Sequence, residues 1–167
     1  MELTDTRKEF RSFTLKPTEV FQTFHLSIPD FLKELSTDQI ETVVPQNMVN
    51  RFWFARNEQR DMYLQINYLD VDFSGKTVEE VFQETTMYMD RVTPNFRRFG
   101  SGSKIFNGIT ISCMDYKSSA IDTDRYTIMF MFTVNDKCFS CSFSAPFANQ
   151  TEWMQIFLLM IDTLTVP

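Results

Sequence analysis

One histidine, three cysteines and four glycines are all that this chain of 167 residues offers to the chemistries most often built from those types. His25 has no second histidine with which to assemble a metal centre, and no nucleophile motif accompanies it. It alternates with Phe24 and Leu26 in "FHLSIP", so it reads as a solvated strand residue. Three cysteines cannot all pair within one chain, and "MELTDTRKEF" has no apolar run of the kind a secretory signal needs. Both features lead to the expectation of free thiols in a reducing cytoplasm. The longest apolar run, "IFLLMI" at 156–161, falls far short of the ~20 residues that span a bilayer, so no membrane insertion is expected. Basic residues are also short, at 16 against 22 acidic for a net charge of −6. That balance disfavours nucleic acid and anionic membrane surfaces and leaves a protein partner open.

What the chain has in quantity is apolar mass. Hydrophobic residues make up 43% of it, with 18 phenylalanines. A domain near this length buries roughly 68–70% of its unfolded surface, enough for a core without metal or disulfide staples. No repeat, low-complexity tract or long linker divides it.

Period-2 alternation marks strands at 24–29, ending at Pro29, and in "MYLQINYL" (62–69), which follows "VNRFWFAR" (49–56), a strand by its richness in aromatics. The charged link "NEQRD" makes the last two a hairpin. The period then lengthens. "TVEEVFQETTMYMDRV" (77–92) aligns Val78, Val81, Phe82, Thr85, Met89 and Val92 on one helical stripe, with Thr77 and Glu80 as a capping box. Strands follow at about 104–116, 125–134 and 137–144, then a second amphipathic helix over 146–164 carrying Trp153, Ile156, Phe157, Met160 and Leu164. The order β-β-β-α-β-β-β-α indicates α+β: an antiparallel sheet of about six strands flanked by two main helices. Residues 1–20 read as a charged N-terminal extension and 21–167 as one domain.

"NDKCFSCSF" (135–143) holds a C-x-x-C pair, a spacing used for zinc and for redox disulfides. Asn135 and Asp136 tolerate the positive φ of a tight turn, and a two-residue turn there sets Phe132 against Phe139, Phe130 against Cys141 and Ile128 against Phe143. Cys138 and Cys141 then point to opposite faces and cannot share a zinc or readily bond. Small buried residues are the expectation, with no cofactor and no metal.

"DVDFSGKTVEE" (70–80) starts like a calcium loop, with Asp70, Asp72, Ser74 and Gly75 at ligand positions, but the twelfth position is Val81 and Lys76 sits inside. A polar strand-to-helix turn explains the same residues. "GSGSK" (100–104) lacks the full phosphate-loop pattern and reads as a flexible hairpin link. "NFRRF" and "RFWFAR" interleave arginine with aromatics, which core-facing strands explain more simply than base stacking.

"FHLSIP", the hairpin strands, the middle helix, "NGITISCMDY" (107–116) and "TIMFMFTVNDKCFSCSFSAPFANQTEWMQIFLLMIDTL" (127–164) together resemble the PsbP-like superfamily, which includes Ran-binding Mog proteins and the DcrB and Eag families. The resemblance covers most of 20–164. It implies a curved antiparallel sheet flanked by helices, in largely non-enzymatic proteins that bind a small GTPase, photosystem subunits or type VI secretion effectors.

A non-enzymatic binding, adaptor or chaperone-like module is therefore the leading expectation. Met129, Met131, Ser140 and Ser142 would form a soft sheet face, extended by Tyr63, Gln65 and Asn67, unless a helix or the N-terminal extension covers it. A homodimer is compatible with this. A class I type III secretion chaperone is the alternative within binding proteins, although residues 10–28 look extended where such chaperones begin with a helix. From another class, the alternative is a calcium-binding protein or hydrolase using Asp70 and Asp72.

Overall fold

The computed structural model describes residues 13–70 and 75–167. Among these residues nine strands run antiparallel: β1 (Leu15–Val20), β2 (Phe24–Pro29), β3 (Lys33–Glu34), β4 (Phe52–Arg56), β5 (Tyr63–Leu69), β6 (Arg97–Phe106), β7 (Ile109–Ser119), β8 (Asp124–Val134) and β9 (Lys137–Pro146). The helices are α1 (Thr37–Glu41), α2 (Val78–Val92) and α3 (Gln150–Ile161), with 3₁₀ turns at Gln46–Arg51 and Phe147–Asn149. Seven strands form one sheet in the order β3-β4-β5-β9-β8-β7-β6, and β1 and β2 form a separate ribbon. The class is α+β, as expected.

The β8–β9 register is the one the sequence implies. Ile128 faces Phe143, Phe130 faces Cys141 and Phe132 faces Phe139. Asn135 and Asp136 both hold positive φ, the geometry of a two-residue turn whose twist matches the flanking strands. Alternation sends Phe130, Phe132, Phe139, Cys141 and Phe143 to one face, with Leu64 and Ile66 of β5. That face is covered by α3, through Trp153, Ile156, Phe157 and Met160, and by the β1–β2 ribbon, through Phe24 and Leu26. Trp153 stacks on Phe143 with centroids 3.9 Å apart, and Phe24 meets Phe132 edge-on at 5.0 Å. Each fully buried large apolar side chain contributes about 1.5–3 kcal/mol.

The opposite face is covered in part by α2. Thr77 accepts from the Glu80 amide while the Glu80 carboxylate accepts from the Thr77 amide, the capping box read from the sequence. Val78, Val81 and Phe82 pack over Met114, Tyr116, Met129, Met131 and Cys138. The expected helical stripe stops short of its end: Val92 is 53% exposed, because the last turn of α2 passes beyond the sheet residues it would cover.

Three expectations change, and one further element was not anticipated. The segment 15–20, read as part of an extension, is a strand paired along its length with β2, and Val20 is in the core. The stretch 104–116 is not one strand but a hairpin turning at Asn107 and Gly108, both with positive φ. "GSGSK" is not a link but part of β6, the sheet's exposed edge. Residues 37–41 form a short helix whose signature, Ser36 capping with Gln39 three residues on, stands in the sequence.

Candidate functional site

Three cross-strand rows organise the second face of the sheet. The first runs Phe54–Gln65–Ser142–Met129–Met114 across β4, β5, β9, β8 and β7. The second runs Phe52–Asn67–Ser140–Met131–Ser112, and the third Arg56–Tyr63–Ser144–Thr127–Tyr116. Each row begins on half-buried residues and ends beneath α2. The boundary falls between β9 and β8 in the first two rows, because α2 spans only the β7–β8 side and the end of β9.

This corrects the proposed methionine surface. Met129 is 4% and Met131 0% exposed, packed beneath Val78, Val81 and Phe82, so neither presents itself to a partner. Tyr63, Gln65, Asn67, Ser140 and Ser142 do share one face and are half-buried. At the other flank, Leu35 after β3, Ile40 of α1 and Val49 of the 3₁₀ turn pack against Phe52 and Phe54. What lies between the two covered zones is a strip about three strands wide, polar and uncharged along Gln65, Asn67, Ser140 and Ser142 and flanked at the Tyr63 end by the part-exposed cations Arg56 and Arg125.

Phe52 and Phe54, whose rings stack at 5.8 Å and 9°, border this strip, as does Arg56. The sequence reading placed these aromatics in a core. Period two, applied from the buried Trp53 and Ala55, assigns Phe52, Phe54 and Arg56 to the other side. A cavity of about 170 Å³ opens where the strip meets α1, lined by Leu35, Val43, Phe54, Tyr63 and Gln65 together with the cations Arg56 and Arg60.

Hydrogen bonds hold the strip in place. Gln65 Nε2 donates to Asn67 Oδ1 at 3.0 Å. Arg125 donates through Nε and Nη2 to Ser144 Oγ at 3.2 and 3.0 Å, and through Nη1 to the Asp61 carbonyl at 2.7 Å. Its guanidinium also lies 5.3 Å from the Tyr63 ring centre, tying β8 to β5 across β9. Burial lowers the Arg125 pKa from its ordinary value, against the opposing pull of the nearby Tyr63 and Asp61.

The cysteines stand on opposite faces of β9: Cys141 among the phenylalanines under α3, Cys138 in the cluster under α2. All three thiols are free. Burial pushes Cys138 up to about 11 and Cys141 well above the ordinary thiol value. Of the calcium candidates, Asp70 is exposed and 3.5 Å from Arg51, while Asp72 and Ser74 lie outside the described residues. Among the described residues no three His, Cys, Asp or Glu side chains gather as a metal site. His25 pairs through its backbone with Thr165. A second hollow, about 570 Å³, mixes Asp30, Glu34 and Glu58 with Lys33, Arg56 and Arg60, and so offers no single sign of charge to a substrate.

No family model matches the sequence, and no curated protein matches it. Solved structures do match in fold. Cyanobacterial PsbP (CyanoP) from Synechocystis superposes with a TM-score of 0.66 at 12% identity, over 92% of this chain and 93% of that one. PA94 from Pseudomonas aeruginosa, a protein of unknown function, gives 0.58 at 12% identity over 92% and 96%. LpqN of Mycobacterium tuberculosis, involved in cell envelope biogenesis, gives 0.57 at 12% identity over 100% and 98%. The fold is PsbP-like. Among the described residues no helix is long and apolar enough to cross a membrane.

Proposed function

We propose that the chain is a non-enzymatic binding module whose second sheet face docks a protein partner along Tyr63, Gln65, Asn67, Ser140 and Ser142, with Phe52 and Phe54 as its apolar border. The observation that carries this reading is the strip itself, which no described element covers. Two flanking helices bury the ends of its rows, and the middle is left half-buried with amides, hydroxyls and aromatic rings. Aromatic groups beside a few fixed hydrogen-bonding groups are the composition of interface cores, which are depleted in charge. The partner surface that fits carries aromatic and amide groups able to bond Gln65 and Asn67, and no cation opposite Arg56 and Arg125 at the Tyr63 end.

The protonated state of the thiols supports a non-enzymatic role, since a nucleophilic cysteine works as the thiolate. Photo-crosslinking tests the reading. A benzophenone amino acid at Gln65 in cells of the native host should capture one protein that the same probe at Gln155, on α3, does not. Equal capture from both positions, or none from Gln65, would remove the proposal.

A further inference from the structure

The two ends of the seven-stranded sheet differ. β3 ends one side with two residues, whereas β6 presents ten, nine of them exposed, and among the described residues pairs only with β7. In the two-residue hairpin at Asn107–Gly108 the closing pair Phe106–Ile109 exchanges both hydrogen bonds, so the bonded positions of β6 are 106, 104, 102 and 100. The backbone N–H and C=O of Ser101, Ser103 and Ile105 therefore point away from the sheet. None is blocked by proline, the usual device for closing such an edge.

Two further observations concern what could lie there. Gly102 has no positive φ, and a methyl group added to it would meet no atom within 4 Å. Neither backbone conformation nor packing among the described residues requires glycine there, although glycine in a strand costs about 0.5–1 kcal/mol relative to alanine. A side chain there would project from the sheet face and leave the edge bonds of Ser101 and Ser103 accessible, so the position does not obstruct a further strand. Secondly, β6 carries Arg97, Arg98 and Lys104 and no acidic residue, in a chain of net charge −6. None of the three forms an ion pair among the described residues. The nearby acids are committed or few: Asp115, opposite Gly100, accepts from the Tyr126 hydroxyl, and Asp90 shares a hollow with Arg98.

We infer that β6 accepts an extended acidic segment of a partner protein as an eighth strand, with backbone bonds at Ser101, Ser103 and Ile105 and carboxylates against Arg98 and Lys104. A second copy of this chain fits poorly. Edge-to-edge pairing would double the cations along one seam without supplying an acid, and centring it on Ser101 would set Arg98 against the other copy's Lys104. Strand addition of this kind takes its affinity from main-chain bonds and its selectivity from side chains at alternate positions. The surface is separate from the strip on the sheet face, which lies on β9, β5 and β4, beyond β7 and β8.

The test is selection of short random segments, displayed on phage, against the purified protein at low salt. Selected segments should be rich in Asp and Glu, should shift the amide resonances of Ser101, Ser103 and Ile105, and should leave those of Gln65 and Asn67 in place. Ser101→Pro, at an outward-pointing edge position, should weaken them at least about tenfold, and Lys104→Glu likewise, with the rest of the spectrum unchanged. Recovery of neutral or basic segments, equal binding by Ser101→Pro, recovery of no segment, or edge-mediated dimers in sedimentation would each overturn the inference. Shifts at Gln65 and Asn67 alone would support the strip and sink the edge.

Discussion

Met129 and Ser142 face each other across β8 and β9, yet Met129 is sealed beneath α2 while Ser142 remains half-exposed. That step between neighbours marks where the helix ends its cover and the candidate docking strip begins.

Substitution of the buried side of that step is a stability experiment. Met131→Asp would place an unpaired carboxylate under Val78, Val81 and Phe82, at a cost of about 3–5 kcal/mol. Met131→Leu, similar in volume, should cost less than about 1.5 kcal/mol. Urea unfolding of both variants checks the contrast.

On the other face, Trp153 joins α3 to the sheet through its stack on Phe143. Trp153→Ala should lower stability by about 3–5 kcal/mol, while Trp153→Phe should lose clearly less. Calorimetric melting would order the three proteins.

Two glycines should respond in opposite directions. Gly108 holds φ +79° in the β6–β7 turn, so Gly108→Ala should cost about 1–2 kcal/mol. Gly102 lies extended with open space around it, and Gly102→Ala should gain about 0.4–1 kcal/mol in the isolated protein. Denaturant midpoints measured side by side decide this.

Alkaline pH should destabilise the fold before tyrosine ionisation matters. Burial raises the Cys138 pKa to about 11, so the unfolded chain releases this proton first. The contribution is fully present below the unfolded thiol value of about 8.5 and declines as pH rises from there toward 11. Over that window Cys138 alone should give a slope approaching about 1.4 kcal/mol per pH unit, with Cys141 adding to it. Cys138→Ala should flatten the curve between pH 9 and 10, whatever its effect at neutral pH. An unchanged slope would mean that this thiol is not protected.

Legibility followed burial. The β8–β9 register could be read because Phe130, Phe132, Phe139 and Phe143 must all reach one face, and α3 because its apolar residues repeat at helical spacing. β6 could not be read this way: exposed along nearly all of its length, it carries no alternation to detect. Its turn could have been, since Asn107-Gly108 is a strong hairpin signal. Of the candidate strip, Tyr63, Gln65, Asn67, Ser140 and Ser142 were placed together by period two alone. That Met129 and Met131 leave the surface depends on which sheet face α2 crosses, and no local pattern specifies it.

The most direct measurement is the affinity of the protein captured through Gln65, purified and titrated calorimetrically against wild type and Gln65→Arg/Asn67→Arg. Both positions are half-buried and bond only one another among the described side chains, so the variant should fold with little change in stability. The account predicts a loss of affinity of at least about tenfold, equivalent to 1.4 kcal/mol. Unchanged affinity in a folded variant would contradict it.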